Sequence, residues 1–282
     1  MSTIAPSHTG EPAAAAPART VHRVTGRRVL RSEWAKLWSL RSTWITLGLA
    51  LLFVVAFGII ACAHYKSRIT SGGRLDRDFA DATAVRLSLF GTNFGQLALG
   101  VLGVLVTAGE YSTGMIRSTL AAVPRRLPVL WSKIAVYGVV ALLVGTAGVL
   151  TAFLIGSGIV SGTPAALSPS DPGVVRSLLG AGLYLGLVGV IGVALGALLR
   201  SVAGGISVLV ASLMLVPGLI SLLPTSWQDD ISPYLPSNAG ESMFALRHAA
   251  GTLTPGTGLL VLAAWTVLAA GAAAWRLART DA

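Results

Sequence analysis

The residue types that could bind a metal or catalyse a reaction are few in this chain, and their spacing suits neither purpose. No two histidines lie four residues apart, as the ligands of a helical zinc site would. The four histidines of the chain are His8, His22, His64 and His248. The single cysteine, Cys62, lies inside an apolar run, so we expect a buried structural thiol and no intrachain disulfide. The sequence therefore predicts no metal site.

Nucleophilic catalysis and nucleotide hydrolysis also lack their usual motifs. Ser201 and Ser207 lie near glycines, but neither is part of a Gly-x-Ser-x-Gly sequence. The phosphate-binding sequence Gly-x-x-x-x-Gly-Lys-[Ser/Thr] does not occur, so no nucleotide site is encoded. We predict that the chain is not an enzyme and holds no cofactor of its own.

The elements that carry these residues are membrane helices. Only 11% of the residues are charged and the mean hydropathy is +0.74, whereas about 25% charged residues is usual for a soluble domain. Six uncharged runs reach the roughly 20 residues that a membrane helix needs. They cover residues 44–63, 87–109, 134–156, 178–199, 202–223 and 257–275. The predicted fold class is an all-α integral membrane protein with six transmembrane helices over residues 44–275, after a disordered tail over residues 1–26.

The charges indicate how these helices face. With six spans both termini lie on one side, and that side carries fourteen basic and four acidic residues, against seven of each on the other. Because basic loop residues are retained in the cytoplasm, we predict cytoplasmic termini, including residues 276–282, in a plasma-membrane protein. Topology and contact with anionic membrane lipid then account for the net charge of +10, and nucleic acid is not an expected partner.

A basic amphipathic segment precedes the first span. Residues 27–43 carry an apolar stripe at i, i+4, i+7 and i+8, with the charged residues elsewhere around the helix. The stripe consists of Leu30, Trp34, Leu37 and Trp38. This pattern predicts a helix in the membrane interface. It either anchors the first span or also touches a cytoplasmic partner, and periodicity does not separate the two.

The segment between the second and third spans is too short for a domain and too patterned for a linker. Gly114 permits a turn, Met115, Leu120 and Val123 supply an apolar set, and Pro124 ends any helix. We predict a short amphipathic helix that projects from the membrane.

The same segment, Glu-Tyr-Ser-Thr-Gly-Met-Ile-Arg-Ser-Thr-Leu followed by Pro-Arg-Arg and Lys133, resembles the permeases of type-2 ABC transporters, mostly exporters. The basic leader and the six-span layout are similar to that family too, and the stretch from Tyr234 to Gly240 looks like its actinobacterial members. The resemblance covers nearly all of the chain after about Arg27.

The resemblance implies a transport subunit whose ATP and Mg²⁺ are bound by a separate cytoplasmic ATPase chain. It further implies a second permease copy or a paralogue as partner, and a coupling segment that docks on the ATPase. The implied coupling residues are Glu110, Gly114, Met115, Arg117, Leu120, Pro124, Arg125 and Arg126.

Two polar residues within the spans are further candidates. Asn93 and Gln96 are three residues apart on one side of the second span. They either line a transport pathway or hydrogen-bond a neighbouring helix. No acid or histidine occurs inside the six runs, which argues against a proton-driven carrier. A membrane sensor or scaffold and a stand-alone secondary carrier remain the alternatives to an ATP-driven exporter.

Overall fold

The computed structural model describes residues 25–72, 82–116, 126–247 and 251–279, and within these ranges the chain is helical with short connections. Six helices are long and apolar enough to cross a membrane. They are span 1 (Arg41–Thr70), span 2 (Ala84–Ser112), span 3 (Leu127–Ile159), span 4 (Val174–Leu199), span 5 (Val202–Ile220) and span 6 (Pro255–Arg279). A leader helix, Gly26–Ser39, precedes span 1. The predicted fold class is confirmed, and the protein is a multi-pass membrane protein.

The helices do not end where the apolar runs end. Span 2 continues to Ser112, past the predicted end at residue 109, and the helix of span 3 begins at Arg126, before the predicted start at residue 134. An apolar run stops at the first charge, whereas backbone hydrogen bonding does not. Glu110 and Lys133 therefore lie within helices. Residues 1–24 of the predicted tail and the last three residues fall outside the described part of the chain, whereas Gly26, which was also predicted to belong to the tail, is the first residue of the leader helix.

Span 4 is the most buried of the six and packs against spans 2, 3 and 6. Its glycines allow this close packing. A methyl group at Gly192 would overlap the carbonyl of Gly100 on span 2, and one at Gly182 would overlap Thr146 on span 3. Between membrane helices such close approach is a main source of association, because lipid tails are as apolar as the side chains. Span 4 is thus the centre of the bundle.

Span 5 contains an irregular turn and is the least buried span. An α-helical part, Val202–Val210, continues into a π-helical turn, Ala211–Leu215, and then into Val216–Ile220. Pro217 has no backbone N–H, and its ring would clash with the carbonyl four residues earlier in a regular helix. A wider turn just before the proline relieves that clash.

The two ends of the bundle contain different structural elements. The charged end holds the leader helix and the residues where span 2 ends and span 3 begins. The opposite end holds the connection from span 5 to span 6, which forms a short helix, Thr225–Ile231, and the cap helix, Pro236–Phe244. The cap helix packs on spans 4 and 6, and the indole of Trp265 on span 6 donates a 3.0 Å hydrogen bond to the Tyr234 carbonyl.

Candidate functional site

Four charged side chains meet at the charged end, where the leader helix crosses the ends of spans 2 and 3. Glu33 and Lys36 lie on the leader helix, Glu110 in the last turn of span 2 and Lys133 on span 3. We call these four residues the charge cluster. It joins the leader helix to the ends of spans 2 and 3, and no other ion pairs between described residues are found in the structure.

Lys133 is at the centre of the charge cluster. Its Nζ donates to Glu33 Oε2 at 2.6 Å, to Glu110 Oε1 at 2.9 Å and to the Val106 carbonyl at 3.3 Å. These acceptors match the three N–H donors of an ammonium group. The Lys133 side chain is only 4% exposed, so water does not replace any of these acceptors.

Lys36 closes the charge cluster from the surface side. Its Nζ donates to Glu33 Oε1 at 2.8 Å and to Glu110 Oε1 at 3.2 Å, and its side chain is 29% exposed. Each carboxylate therefore contacts both ammonium groups, and the formal charges of the four residues cancel. Such a set is tolerated in a buried position because each charge is paired and hydrogen-bonded. The loss of one member would leave the remaining buried charges unbalanced by one.

The charges of the cluster shift the pKa values of the two leader-helix members in opposite directions. Burial acts to raise the pKa of Glu33, but Lys133 and Lys36 outweigh it and hold this pKa below the ordinary value of 4.5. Burial acts to lower the pKa of Lys36, but Glu33 and Glu110 outweigh it and hold this pKa above the ordinary value of 10.5. Both groups are charged across the physiological pH range.

We expect the stability of the protein to fall at both ends of the pH scale for this reason. The contribution of Glu33 is complete above its ordinary pKa of 4.5 and is lost as the pH falls through the lowered folded value. The contribution of Lys36 is complete below its ordinary pKa of 10.5 and is lost as the pH rises through the raised folded value. Thermal unfolding of the detergent-solubilised protein across this range measures the loss of stability at low pH and at high pH.

A variant tests whether the loss of stability at low pH comes from Glu33. Glu33→Gln should flatten the loss of stability on the acid side, whereas Asp230→Asn, at an exposed position of the opposite end, should leave it unchanged. If stability fell equally with decreasing pH in the wild type and in Glu33→Gln, the assignment of this loss to Glu33 would be contradicted.

The predicted coupling residues that the structure describes lie in different environments. Glu110 is buried in the charge cluster, Gly114 follows span 2 with a φ of +73°, and Met115 is exposed. Arg126 is the first helical residue of span 3. Arg117, Leu120, Pro124 and Arg125 lie outside the described residues, as does most of the predicted projecting helix.

The leader helix presents its buried face through a different set of residues from the predicted stripe. Val29, Glu33 and Leu37 are buried at i, i+4 and i+8. Leu30 and Trp34 are exposed, and Trp38 is half-buried against Trp44 with ring centroids 4.4 Å apart. Of the predicted stripe Leu37 is buried in the bundle and Trp38 packs partly against it, whereas Leu30 and Trp34 are exposed and can face lipid.

Glu33 is the functional candidate that the periodicity missed. Hydrophobic periodicity treats every charge as exposed, so it places Glu33 with the charged residues outside the apolar stripe. One signal was present in the sequence: Glu33 is the only acidic residue between Glu11 and Asp76. An isolated acid in a strongly basic leader indicates a specific cationic partner.

Asn93 and Gln96 do not share one environment. Gln96 is buried, and its Oε1 accepts a hydrogen bond from the Tyr184 hydroxyl on span 4. Asn93 is exposed, and its amide donates to the Phe90 carbonyl at 3.2 Å. Gln96 therefore makes a helix–helix hydrogen bond, whereas Asn93 faces the surroundings of the bundle.

The described ranges contain no group of three or more histidine, cysteine, aspartate or glutamate side chains that could hold a metal ion. Comparison with known proteins gives no match, either to a family model or to a curated protein. Fold and site together define the class: a helical multi-pass membrane protein whose leader helix is joined to two spans by a buried charge cluster.

Proposed function

We propose that the protein is the membrane-spanning permease subunit of an ATP-driven transporter, an exporter of the ABC type-2 kind, and that a separate ATPase subunit drives it. The proposal follows the resemblance of the segment from Glu110 to Lys133. One structural observation supports it: the two residues that bound this segment, Glu110 and Lys133, are both members of the charge cluster.

The mechanical consequence of that arrangement favours coupling through the segment between spans 2 and 3. A force applied to the segment acts on Glu110 and Lys133, whose Oε1 and Nζ atoms are 2.9 Å apart. Because Lys133 Nζ also donates to Glu33, the same force reaches the leader helix. Breaking a buried ion pair is costly, because it leaves an uncompensated charge away from water. The leader helix and the ends of both spans would therefore move as one body, whereas a flexible attachment would absorb the motion.

The remaining parts of the proposal concern orientation and assembly. The charged end carries the basic excess, so we place it in the cytoplasm, where ATP is available. The ATPase subunit would bind ATP and Mg²⁺, and a second permease copy or a paralogue would complete the transport pathway. The membrane is the plasma membrane, and both termini are cytoplasmic.

Affinity purification in mild detergent tests the proposal, with identification of the chains that co-purify and an ATPase assay on the product. We expect a stoichiometric ATPase. Deletion of residues 115–123 or the substitution Arg117→Glu should abolish the stimulation of ATP hydrolysis by cargo and stop transport in proteoliposomes, with membrane insertion intact. Their matched control is Arg68→Glu, an exposed charge at the opposite end.

Two results would count against the proposal. A preparation without partner or hydrolysis in several detergents would favour a sensor, a scaffold or a stand-alone carrier. Normal transport by the deletion variant would remove the coupling role from this segment.

A further inference from the structure

An apolar cleft of about 300 Å³ opens between spans 5 and 6, with span 4 as its floor. Val188 and Leu195 line the floor, Leu213 and Val216 one wall, and Leu268 and Ala269 the other. Two polar groups lie at this cleft and both are hydrogen-bonded: the Ser212 hydroxyl donates to the Leu209 carbonyl at 2.9 Å, and the Trp265 indole N–H donates to the Tyr234 carbonyl at 3.0 Å. The surface offered to an occupant is therefore largely apolar.

Water is a poor occupant of such a cleft, because a buried water needs two to four polar partners. The π-helical turn of span 5 contributes Ser212 and Leu213 to the wall, and π-helical turns are frequent at functional sites. The volume lies at the lower end of the roughly 300–1,000 Å³ usual for ligand pockets. An alkyl chain fits both the chemistry and the size.

A polar cavity of about 420 Å³ lies beside the cleft at the opposite end of the bundle. Its lining includes two carboxylates, Asp229 and Glu241, one guanidinium, Arg247, and the amide of Asn238. Neither carboxylate has an ion pair within 4 Å to any other described residue. Burial raises the pKa of Glu241, and Arg86, which does not line the cavity, acts against this rise. Among the lining residues acidic groups exceed basic ones, and a cationic headgroup would also favour the charged form of Glu241.

The two cavities are lined by neighbouring parts of one segment. Pro233 lines the polar cavity, and Leu235 and Pro236 line the cleft; the Cα atoms of Pro233 and Leu235 are no more than about 7 Å apart. We propose that the cleft and the polar cavity form one binding site for a single-chain amphiphile, with its alkyl chain in the cleft and an amine-bearing headgroup at Asp229 and Glu241.

This inference goes beyond the proposed function, because binding requires no ATPase and is measured on the protein alone. If the protein is a permease, an amine-bearing amphiphile is its cargo class. Loss of the proposed function would leave the binding result standing, and loss of binding would leave the ATPase result standing.

Photolabelling tests the alkyl chain. The purified protein in nonionic detergent is irradiated with an alkylammonium amphiphile that carries a diazirine in its chain, and labelled peptides are identified by mass spectrometry. We expect saturable labelling of residues 208–216 and 265–269, which unlabelled amphiphile competes away. Ala269→Phe fills the cleft and should reduce this labelling roughly ten-fold or more.

Two further variants guard against misfolding and general lipid contact. Val216→Phe narrows the cleft from the other wall and should have the same effect as Ala269→Phe. Val267→Phe adds the same side chain at an exposed position of span 6 outside the cleft and should leave the labelling unchanged. Size-exclusion profiles verify that each variant is folded. Equal labelling of the wild type and both blocked variants would overturn the cleft assignment.

The headgroup is tested with an alkyl sulfate probe of the same chain. We expect the alkylammonium probe to label the cleft about five-fold more strongly, and Glu241→Gln or Asp229→Asn to reduce that preference. Asp230→Asn is the matched control, because Asp230 neighbours Asp229 but does not line the polar cavity. Equal labelling by the two probes in the wild type would overturn the headgroup assignment.

Discussion

Replacing Lys133 with methionine is expected to lower the stability of the folded protein by roughly 3–5 kcal/mol. Methionine matches the length of the lysine chain but removes the ammonium group that contacts Glu33 at 2.6 Å and Glu110 at 2.9 Å. Both carboxylates remain buried, and only Lys36, which is partly exposed, is left to neutralise them. The leader helix should then separate from spans 2 and 3. We expect a fall in the thermal midpoint of roughly 6–20 °C.

Lys66→Met provides the matched control, because Lys66 is exposed at the far end of span 1 and belongs to no ion pair within the described ranges. Its midpoint should stay close to that of the wild type. The double variant Lys133→Met with Glu33→Gln should recover part of the loss, since it removes the one excess negative charge and leaves Lys36 beside Glu110. Equal midpoints for Lys133→Met and Lys66→Met would show that the charge cluster contributes little to the fold.

The sequence predicts the spans well because membrane helices obey a local rule. Each needs a long uncharged run, and all six runs correspond to helices of the structure. The leader helix was predicted for a similar reason, from its spacing of Leu and Trp. The ends of the helices were less accurate, because an apolar run ends at Gly109 whereas the helix continues to Ser112.

The charge cluster could not be predicted because it depends on contacts between distant parts of the chain. Glu33 and Lys133 are separated by 100 positions, and neither the period of the leader helix nor the length of span 3 indicates that they meet. The same limit applies to Asn93 and Gln96. Their spacing places them near one another on span 2, but only the position of Tyr184 decides that Gln96 binds span 4.

The second large effect is expected at Gly192, where spans 2 and 4 approach most closely. A Cβ atom at this position would overlap the backbone carbonyl of Gly100, and backbone cannot move aside as the end of a flexible side chain can. Gly192→Val should force the two helices apart and cost about 3 kcal/mol or more. Gly192→Ala, with one added methyl group, should lie between the wild type and Gly192→Val.

The control for this substitution is Gly271→Val on span 6, where an added Cβ would meet nothing within 4 Å. Both substitutions replace a helical glycine with the same β-branched residue, so intrinsic helix propensity cancels in the comparison. Thermal unfolding and size-exclusion profiles in one detergent should show a stable Gly271→Val protein and a strongly destabilised Gly192→Val protein. If both variants unfolded alike, the stability of the bundle would not depend on close contact between spans 2 and 4. If only Gly192→Val failed, the close contact of span 4 with span 2 would be established as a requirement for a stable bundle.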